Sequence, residues 1–156
     1  MTLSDLLKFL GKITEEDFVV VCIGNELKAD DGIGPFIAKR AREFSKIFID
    51  AGMAPENYFF MLYSIPQKII IVIDAVDMGL KPGEVQILPL EKLTIQGIST
   101  HSLGIKEVFS LLEMNGKEIY FIGIQPKSVE LEGKISDEVL KTAEEILNFF
   151  KEKCTN

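Results

Sequence analysis

Residues 18–35 read FVVVCIGNELKADDGIGP, and this stretch decides the fold. Its first six residues form a continuous apolar run rich in β-branched side chains, which is typical of a strand buried on both faces of a sheet. A glycine-rich polar loop follows the run, and Pro35 at a first helical position predicts that a helix begins there. A buried strand that leads through a loop into a helix is the repeating unit of an α/β fold.

The rest of the chain repeats this alternation of strand and helix patterns. Further apolar runs predict strands over 47–49, 69–73, 85–88 and 119–124, and helical periodicity predicts helices over 3–11, 35–44, 56–63, 105–112 and from 136 onward. Strands buried on both faces and alternating with helices predict a three-layer α/β/α sandwich. Because only about ten residues separate the third strand from the fourth, a parallel crossover does not fit and the fourth strand is expected to run antiparallel. Ser4 is the expected N-cap of the first helix.

Length and composition favour one α/β domain over residues 1–156, with an extra helix in the first twelve residues. The formal net charge of −7 argues against general binding to nucleic acid, whose backbone is also negative. No segment approaches the roughly 18 consecutive apolar residues of a membrane span. Two cysteines without partners at metal-ligand spacing, and an N-terminus without the pattern of a secretory signal, indicate a cytoplasmic protein.

Polar side chains follow the predicted strands at the point where each strand ends. Asp31 lies in the loop after the first strand, Asp50 ends the second and Asp74 ends the third, while His101, the single histidine, precedes a helix. In such a sheet the ligand site lies at the carboxyl ends of the strands, where the winding direction reverses. Two carboxylates and an imidazole with open positions suit a divalent first-row metal, and nickel, zinc, iron and manganese all remain open. Such a metal polarises a carbonyl or activates a water.

Each of these residues also has a purely structural interpretation. Asp30 and Asp31 are common turn or cap residues before a helix, Asp74 can simply end a strand, and His101 can cap the next helix. The loop over 24–34 lies where a dinucleotide fold carries its phosphate loop, but it lacks the Gly-x-Gly-x-x-Gly spacing and its acidic side chains would repel phosphate. The single imidazole leaves a Ser-His-Asp triad open, although the chain has no Gly-x-Ser-x-Gly motif.

Five motifs in chain order resemble those of the hydrogenase maturation proteases. They are GNELKADDGIG over 24–34, DAGMAPEN over 50–57, DAVDMG and PGE over 74–84, STH over 99–101 and GIQP over 123–126. The set extends from about residue 17 to about residue 150 and is most similar to the protease that serves the formate-hydrogenlyase type of hydrogenase. The resemblance implies a sheet of order 2-1-3-5-4 with the fourth strand antiparallel.

The resemblance also implies the activity and the roles of the site residues. Members are hydrolases, aspartic-type or metal-directed endopeptidases that remove a C-terminal extension from the precursor of a nickel-iron hydrogenase large subunit. The nickel is expected to arrive with the precursor and to be bound by Asp31, Asp74 and His101. Asp50 and Gly52 are expected to shape the adjacent substrate-binding cleft.

Two features depart from the family pattern that the resemblance implies. The helix over 3–11 is an addition, and Ala51 stands where many relatives carry a glycine. A nickel-dependent endopeptidase, expected to be a monomer, is the leading hypothesis. A non-enzymatic nickel-binding maturation chaperone on the same fold, and a flavin or nucleotide module, are the alternatives.

Overall fold

The computed structural model describes residues 1–95 and 102–155. The strands in this part of the chain are β1 Phe18–Ile23, β2 Phe48–Gly52, β3 Ile69–Ala75, β4 Val85–Leu88 and β5 Glu118–Ile124. The helices are α1 Leu3–Gly11, α2 Ile33–Ala41, α3 Phe59–Ser64, α4 Lys92–Ile95, α5 Ser102–Met114 and α6 Asp137–Thr155. Two short 3₁₀ turns, Ala29–Gly32 and Pro55–Tyr58, precede α2 and α3.

The five strands form one mixed sheet in the order β2-β1-β3-β5-β4. β1 pairs in parallel with both β2 and β3, and β3 pairs in parallel with β5. β4 is antiparallel to β5, which confirms the expectation drawn from its short connection to β3. The winding direction reverses between β1 and β3, so the ligand crevice of this topology lies at their carboxyl ends.

Helices cover both faces of the sheet, which confirms the three-layer α/β/α architecture. Alternate residues of β1 point to opposite faces, as the two-residue period of a strand requires. Val20 and Cys22 pack into a core with α1, α2 and α6, whereas Val19 and Val21 pack into a second core with α3, α4 and α5. All six residues of β1 are buried, as the unbroken apolar run predicts.

Several element ends differ from the predicted ones. Thr2, and not Ser4, caps α1, because its hydroxyl accepts a hydrogen bond from the Asp5 amide (3.1 Å) while the Asp5 carboxylate accepts one from the Thr2 amide (3.0 Å). α2 begins two residues before Pro35, because the preceding 3₁₀ turn continues directly into the helix. β3 extends beyond residue 73, which places Asp74 inside the sheet.

In the described part of the chain, no helix combines the length and the apolar character that a bilayer crossing requires.

Candidate functional site

Three aspartates lie near the carboxyl edge of the sheet. Cys22, close to the end of β1, pairs with Asp50 on β2 and with Ile73 on β3, the residue before Asp74. Burial raises the pKa of the Cys22 thiol, and the negative charges of Asp50 and Asp74 raise it further. The two carboxylates therefore both act on the end of β1, and the fully buried Cys22 thiol stays protonated and uncharged.

Asp31 reaches this edge through the turn that follows β1. The Asn25 amide donates to the Asp31 backbone oxygen (3.0 Å) and to Asp31 Oδ2 (3.3 Å). The turn lies so close to β1 that a Cβ at Gly24 would be 2.1 Å from the Asp31 backbone oxygen, which explains why residue 24 is glycine. Asp31 is only 6% exposed, so its carboxylate is held within the protein and does not extend into solvent.

Asp74 is fully buried in β3. It pairs with Gly123 of β5, and the Ala29–Gly32 turn that carries Asp31 contacts β3. The fold thus brings Asp31 and Asp74 to the same crevice between β1 and β3, where the sequence predicted a ligand site. Carboxylate oxygens brought together in this way are able to bind a divalent cation.

Asp50 and Gly52 line a cleft beside this crevice. The cleft has a volume of about 370 Å³ and is lined by residues 24–26, Pro35 and residues 50–53. The Gly24 amide donates to the Gly52 oxygen (2.8 Å), and the Gly52 amide donates to Asp50 Oδ1 (3.2 Å). Gly52 has φ +55°, a left-handed conformation that glycine adopts without strain, so Gly52 forms this turn beside Ala51. Asp31 and Asp74 are neighbours of the cleft and not part of its lining.

A larger cavity of about 620 Å³ lies away from this edge. It is bounded by the chain between α1 and β1 and by the C-terminal end of α6, and it includes Cys154. Residues that precede β1 lie at the amino ends of the parallel strands. This cavity is therefore at the opposite edge of the sheet from Asp31 and Asp74, which lie at the carboxyl ends. Its volume does not make it the better candidate, because the convergent carboxylates are elsewhere.

His101 lies outside the described residues, so the third predicted metal ligand stays a prediction. Among residues 1–95 and 102–155, no group of three His, Cys, Asp or Glu side chains forms a metal-ligand set. The part of the site that the structure describes is therefore the pair of aspartates and the adjacent cleft.

Asp30 differs sharply from its neighbour Asp31. Its fully buried carboxylate accepts hydrogen bonds from the amides of Lys127 (2.8 Å), Ser128 (3.3 Å) and Ser136 (2.7 Å) and from the Ser136 hydroxyl (2.9 Å). From the sequence, the family resemblance assigned the metal to Asp31, whereas Asp30 was expected only as a turn or cap residue. The Asp-Asp repeat in a short loop signals that one carboxylate has a structural task, but it does not identify the partners.

Gln125 is the second residue that sequence reasoning passed over. It is 6% exposed, and its Oε1 accepts from the amides of Met78 (2.6 Å) and Leu80 (3.2 Å). Its Nε2 donates to Asp77 Oδ1 (3.2 Å). The glutamine therefore organises the loop that follows Asp74. The GIQP motif over 123–126 was a signal for this position, although its role could not be read from it.

The sequence of this chain is similar to those of known proteases. A model of the hydrogenase maturation protease family matches residues 36–152, a span that includes Asp50 and Asp74 and begins after Asp31. The hydrogenase 3 maturation protease of Escherichia coli (strain K12) is 34% identical over 115 residues, covering 71% of this chain and 74% of that protein.

Solved structures share the fold. The [NiFe] hydrogenase maturation protease HycI from Thermococcus kodakarensis KOD1 superimposes with a TM-score of 0.80 at 28% identity, covering 95% of this chain and 99% of that one. The [NiFe] hydrogenase maturation protease HybD from Thermococcus kodakarensis superimposes with a TM-score of 0.70 at 26% identity, covering 88% and 98%. The α/β fold with sheet order β2-β1-β3-β5-β4 is therefore that of these proteases.

Proposed function

The chain belongs to the hydrogenase maturation protease family, and from this premise we propose that it is a nickel-dependent endopeptidase that removes the C-terminal extension from the large-subunit precursor of a nickel-iron hydrogenase. Family membership supports the coarser part of this statement, an endopeptidase that processes a hydrogenase precursor. The dependence on nickel, the metal-directed mechanism and the C-terminal position of the cut are our proposal.

The observation that carries the proposal is the pair of buried aspartates in the crevice between β1 and β3. Asp31 and Asp74 supply oxygen donors from two elements, and His101 would add one nitrogen donor. This mixed set suits a divalent first-row ion better than it suits magnesium or calcium, which prefer oxygen alone.

In this proposal the nickel ion belongs to the substrate and enters with the precursor. Asp31, Asp74 and His101 bind the ion as the precursor docks, and this orients the nearby peptide bond relative to the enzyme. A bound divalent ion polarises a carbonyl or lowers the pKa of a water, which is the chemistry that peptide hydrolysis needs. Recognition of the metal also restricts cleavage to precursors that have already been loaded.

The cleft lined by Asp50 and Gly52 is proposed to hold the chain next to the scissile bond. It adjoins the crevice at Gly24 and Asn25, and Asn25 donates directly to Asp31. Gly52 has no side chain, and no atom lies within 4 Å of the place where its Cβ would be, so this part of the cleft is open. An extended peptide therefore has room to approach the backbone there.

We also propose that the protein acts as a monomer in the cytoplasm. Cys22 and Cys154 are both free thiols, as is usual for proteins of a reducing compartment.

The test is cleavage of a hydrogenase large-subunit precursor, followed by intact-mass spectrometry. Nickel-loaded precursor should lose its C-terminal extension, and metal-free precursor should keep its mass. Asp31→Asn, Asp74→Asn and His101→Ala should each abolish cleavage while the protein stays folded. Glu113→Gln, which removes the same charge from the exposed surface of α5, is the matched control and should cleave normally.

Two outcomes would contradict the proposal. Equal cleavage of loaded and metal-free precursor would remove the dependence on nickel. Tight nickel binding by the isolated chain, with no change in precursor mass, would instead favour the non-enzymatic maturation chaperone.

A further inference from the structure

We infer that the segment joining β5 to α6, residues 125–136, positions both aspartates of the metal site, through Asp30 and Gln125. The inference rests on the proposed function, because it concerns how the Asp31 and Asp74 carboxylates are held for the precursor's nickel. Asp30 and Gln125 act through their neighbours and are positioning residues.

Asp30 connects the turn that carries Asp31 to this segment. Its Oδ1 accepts from the Ser136 amide, and its Oδ2 accepts from two further amides and the Ser136 hydroxyl. Both oxygens are therefore occupied by donors of the protein, which assigns Asp30 to positioning. Ser136 immediately precedes α6, a helix of 19 residues, so its amino end also favours the negative charge.

The backbone of the same turn is paired with the segment as well. The Asp30 amide donates to the Ser128 oxygen (3.0 Å), and the Glu132 amide donates to the Leu27 oxygen (2.8 Å). Ala29 has φ +48° and Glu132 has φ +63°, a left-handed conformation that side-chain-bearing residues rarely adopt. Such conformations persist where the surrounding contacts enforce them, and here one lies in each of the two paired segments.

Gln125 holds the other aspartate-bearing element from the same segment. After Ala75, the residue that follows Asp74 and ends β3, comes the loop over 76–80, and Gln125 Oε1 accepts from two amides of that loop. The Val76 amide donates to the Ile124 oxygen (3.0 Å), so the loop is fixed to the end of β5 at its beginning. Gln125 and Asp30 thus anchor the two ligand-bearing elements to one short stretch of chain.

This arrangement has a consequence for metal binding. Carboxylate ligands must be held to within about half an ångström of the required geometry, and residues outside the ligand set provide that precision. Weakening either anchor lets Asp31 or Asp74 move while the ligands themselves remain. Loss of such outer contacts commonly costs about 10–100-fold in metal affinity.

The experiment measures nickel affinity of the isolated chain by calorimetry, together with cleavage of nickel-loaded precursor and the thermal unfolding midpoint. Asp30→Asn keeps the size of the side chain but turns an amide group toward donors of the segment. Gln125→Met keeps the length of the side chain and removes its hydrogen bonds. Each should weaken nickel binding by about tenfold and slow cleavage at least as much.

The matched control is Asp137→Asn, which removes a carboxylate from the exposed first residue of α6, next to Ser136. It should bind nickel within about twofold of the wild type, as expected for a substitution of an exposed side chain. A gentler probe is Ser136→Ala, which removes one of the four hydrogen bonds to Asp30 and leaves the backbone donors. It should weaken nickel binding by a few-fold. If Asp30→Asn does not fold, this variant tests the positioning role of Asp30 in its place.

Comparing the thermal unfolding midpoint with the nickel affinity of each variant distinguishes a positioning role of Asp30 and Gln125 from a merely structural one. If the variants unfold at lower temperature yet bind nickel and cleave as the wild type does, the inference is overturned and the proposed function stands. If the wild type neither binds nickel nor cleaves loaded precursor, the proposed function fails, and this inference fails with it. Selective loss of nickel affinity in both anchor variants supports positioning.

Discussion

Gly34 in the first turn of α2 allows that helix to lie directly on β1. An alanine Cβ at this position would be 2.2 Å from the Ile23 oxygen, 2.8 Å from the Ile23 nitrogen and 2.9 Å from its carbonyl carbon. Real Cβ contacts do not fall below 3.0 Å, so α2 and β1 would have to separate by about 0.8 Å, the difference between the two distances. The opposing atoms are backbone atoms of a central strand, which cannot rotate away.

The cost of Gly34→Ala follows from two opposing terms. Overpacking of this size costs about 3 kcal/mol, the upper end of the usual range, because the backbone itself must move. Alanine favours a helix over glycine by about 1 kcal/mol, which leaves a net loss of about 2 kcal/mol. In a chain of this length, that loss lowers the unfolding midpoint by about 4–8 °C.

The same displacement reaches the candidate site. Asp31 lies three residues before Gly34, in the turn that leads into α2, so a shift of α2 moves this carboxylate relative to Asp74. A misplacement of about 1 Å in a catalytic geometry can cost about a hundredfold in rate. We therefore expect Gly34→Ala to cleave the nickel-loaded precursor roughly a hundredfold more slowly.

Differential scanning calorimetry and the precursor-cleavage assay measure the two effects. The control is Gly11→Ala, because no atom lies within 4 Å of a Cβ built at this exposed position. It should keep or raise the wild-type midpoint, because alanine favours the helix, and it should retain the wild-type rate. A Gly34→Ala variant that unfolds at the wild-type temperature and cleaves at the wild-type rate would refute the reasoning.

Three further predictions concern stability. Because burial keeps the Cys22 pKa above its ordinary value of 9.0, the folded thiol retains its proton while the unfolded one loses it, so stability should fall above pH 9. The contribution of Cys22 to this loss approaches about 1.4 kcal/mol per pH unit. Urea denaturation above pH 9 should show that the unfolding free energy of the wild type falls more steeply with pH than that of Cys22→Ala. Equal slopes for the two proteins would contradict this prediction. Phe150 is fully buried with its ring 5.0 Å from that of Phe48, so Phe150→Ala should cost about 3–5 kcal/mol, whereas Met114→Ala, at an 81% exposed position, should change stability by less than about 0.5 kcal/mol. Thr142→Val removes the hydrogen bond from the hydroxyl to the Gly83 oxygen (2.6 Å) and should cost about 1–2 kcal/mol in thermal unfolding; an unchanged midpoint would show that the bond adds nothing to stability.

Much of the fold could be predicted because its signals are local. The apolar run over 18–23 has no polar residue to face solvent, so it had to be a strand covered on both sides. The short interval before 85–88 excluded a parallel crossover, and β4 is indeed antiparallel. The N-cap of α1 was predicted wrongly, because Thr2 and Ser4 are both good caps and the choice depends on the reciprocal bond with Asp5.

The candidate site was predictable in outline but not in its supporting contacts. Asp31 follows β1 and Asp74 is the penultimate residue of β3, and strand ends meet at one edge of a parallel sheet. The different task of Asp30 could not be read from the sequence, because its partners Lys127 and Ser128 lie 97 and 98 residues away. His101 remains a predicted ligand, since it lies outside the described residues.

The order of apolar runs and of strand-end carboxylates was sufficient to determine the α/β/α layers and the edge at which chemistry is expected, because these follow from periodicity along the chain. Only the tertiary structure decided which groups bind the Asp30 carboxylate, namely donors of the segment before α6. That choice depends on donors brought together from distant parts of the chain, and no local pattern encodes where those donors will lie.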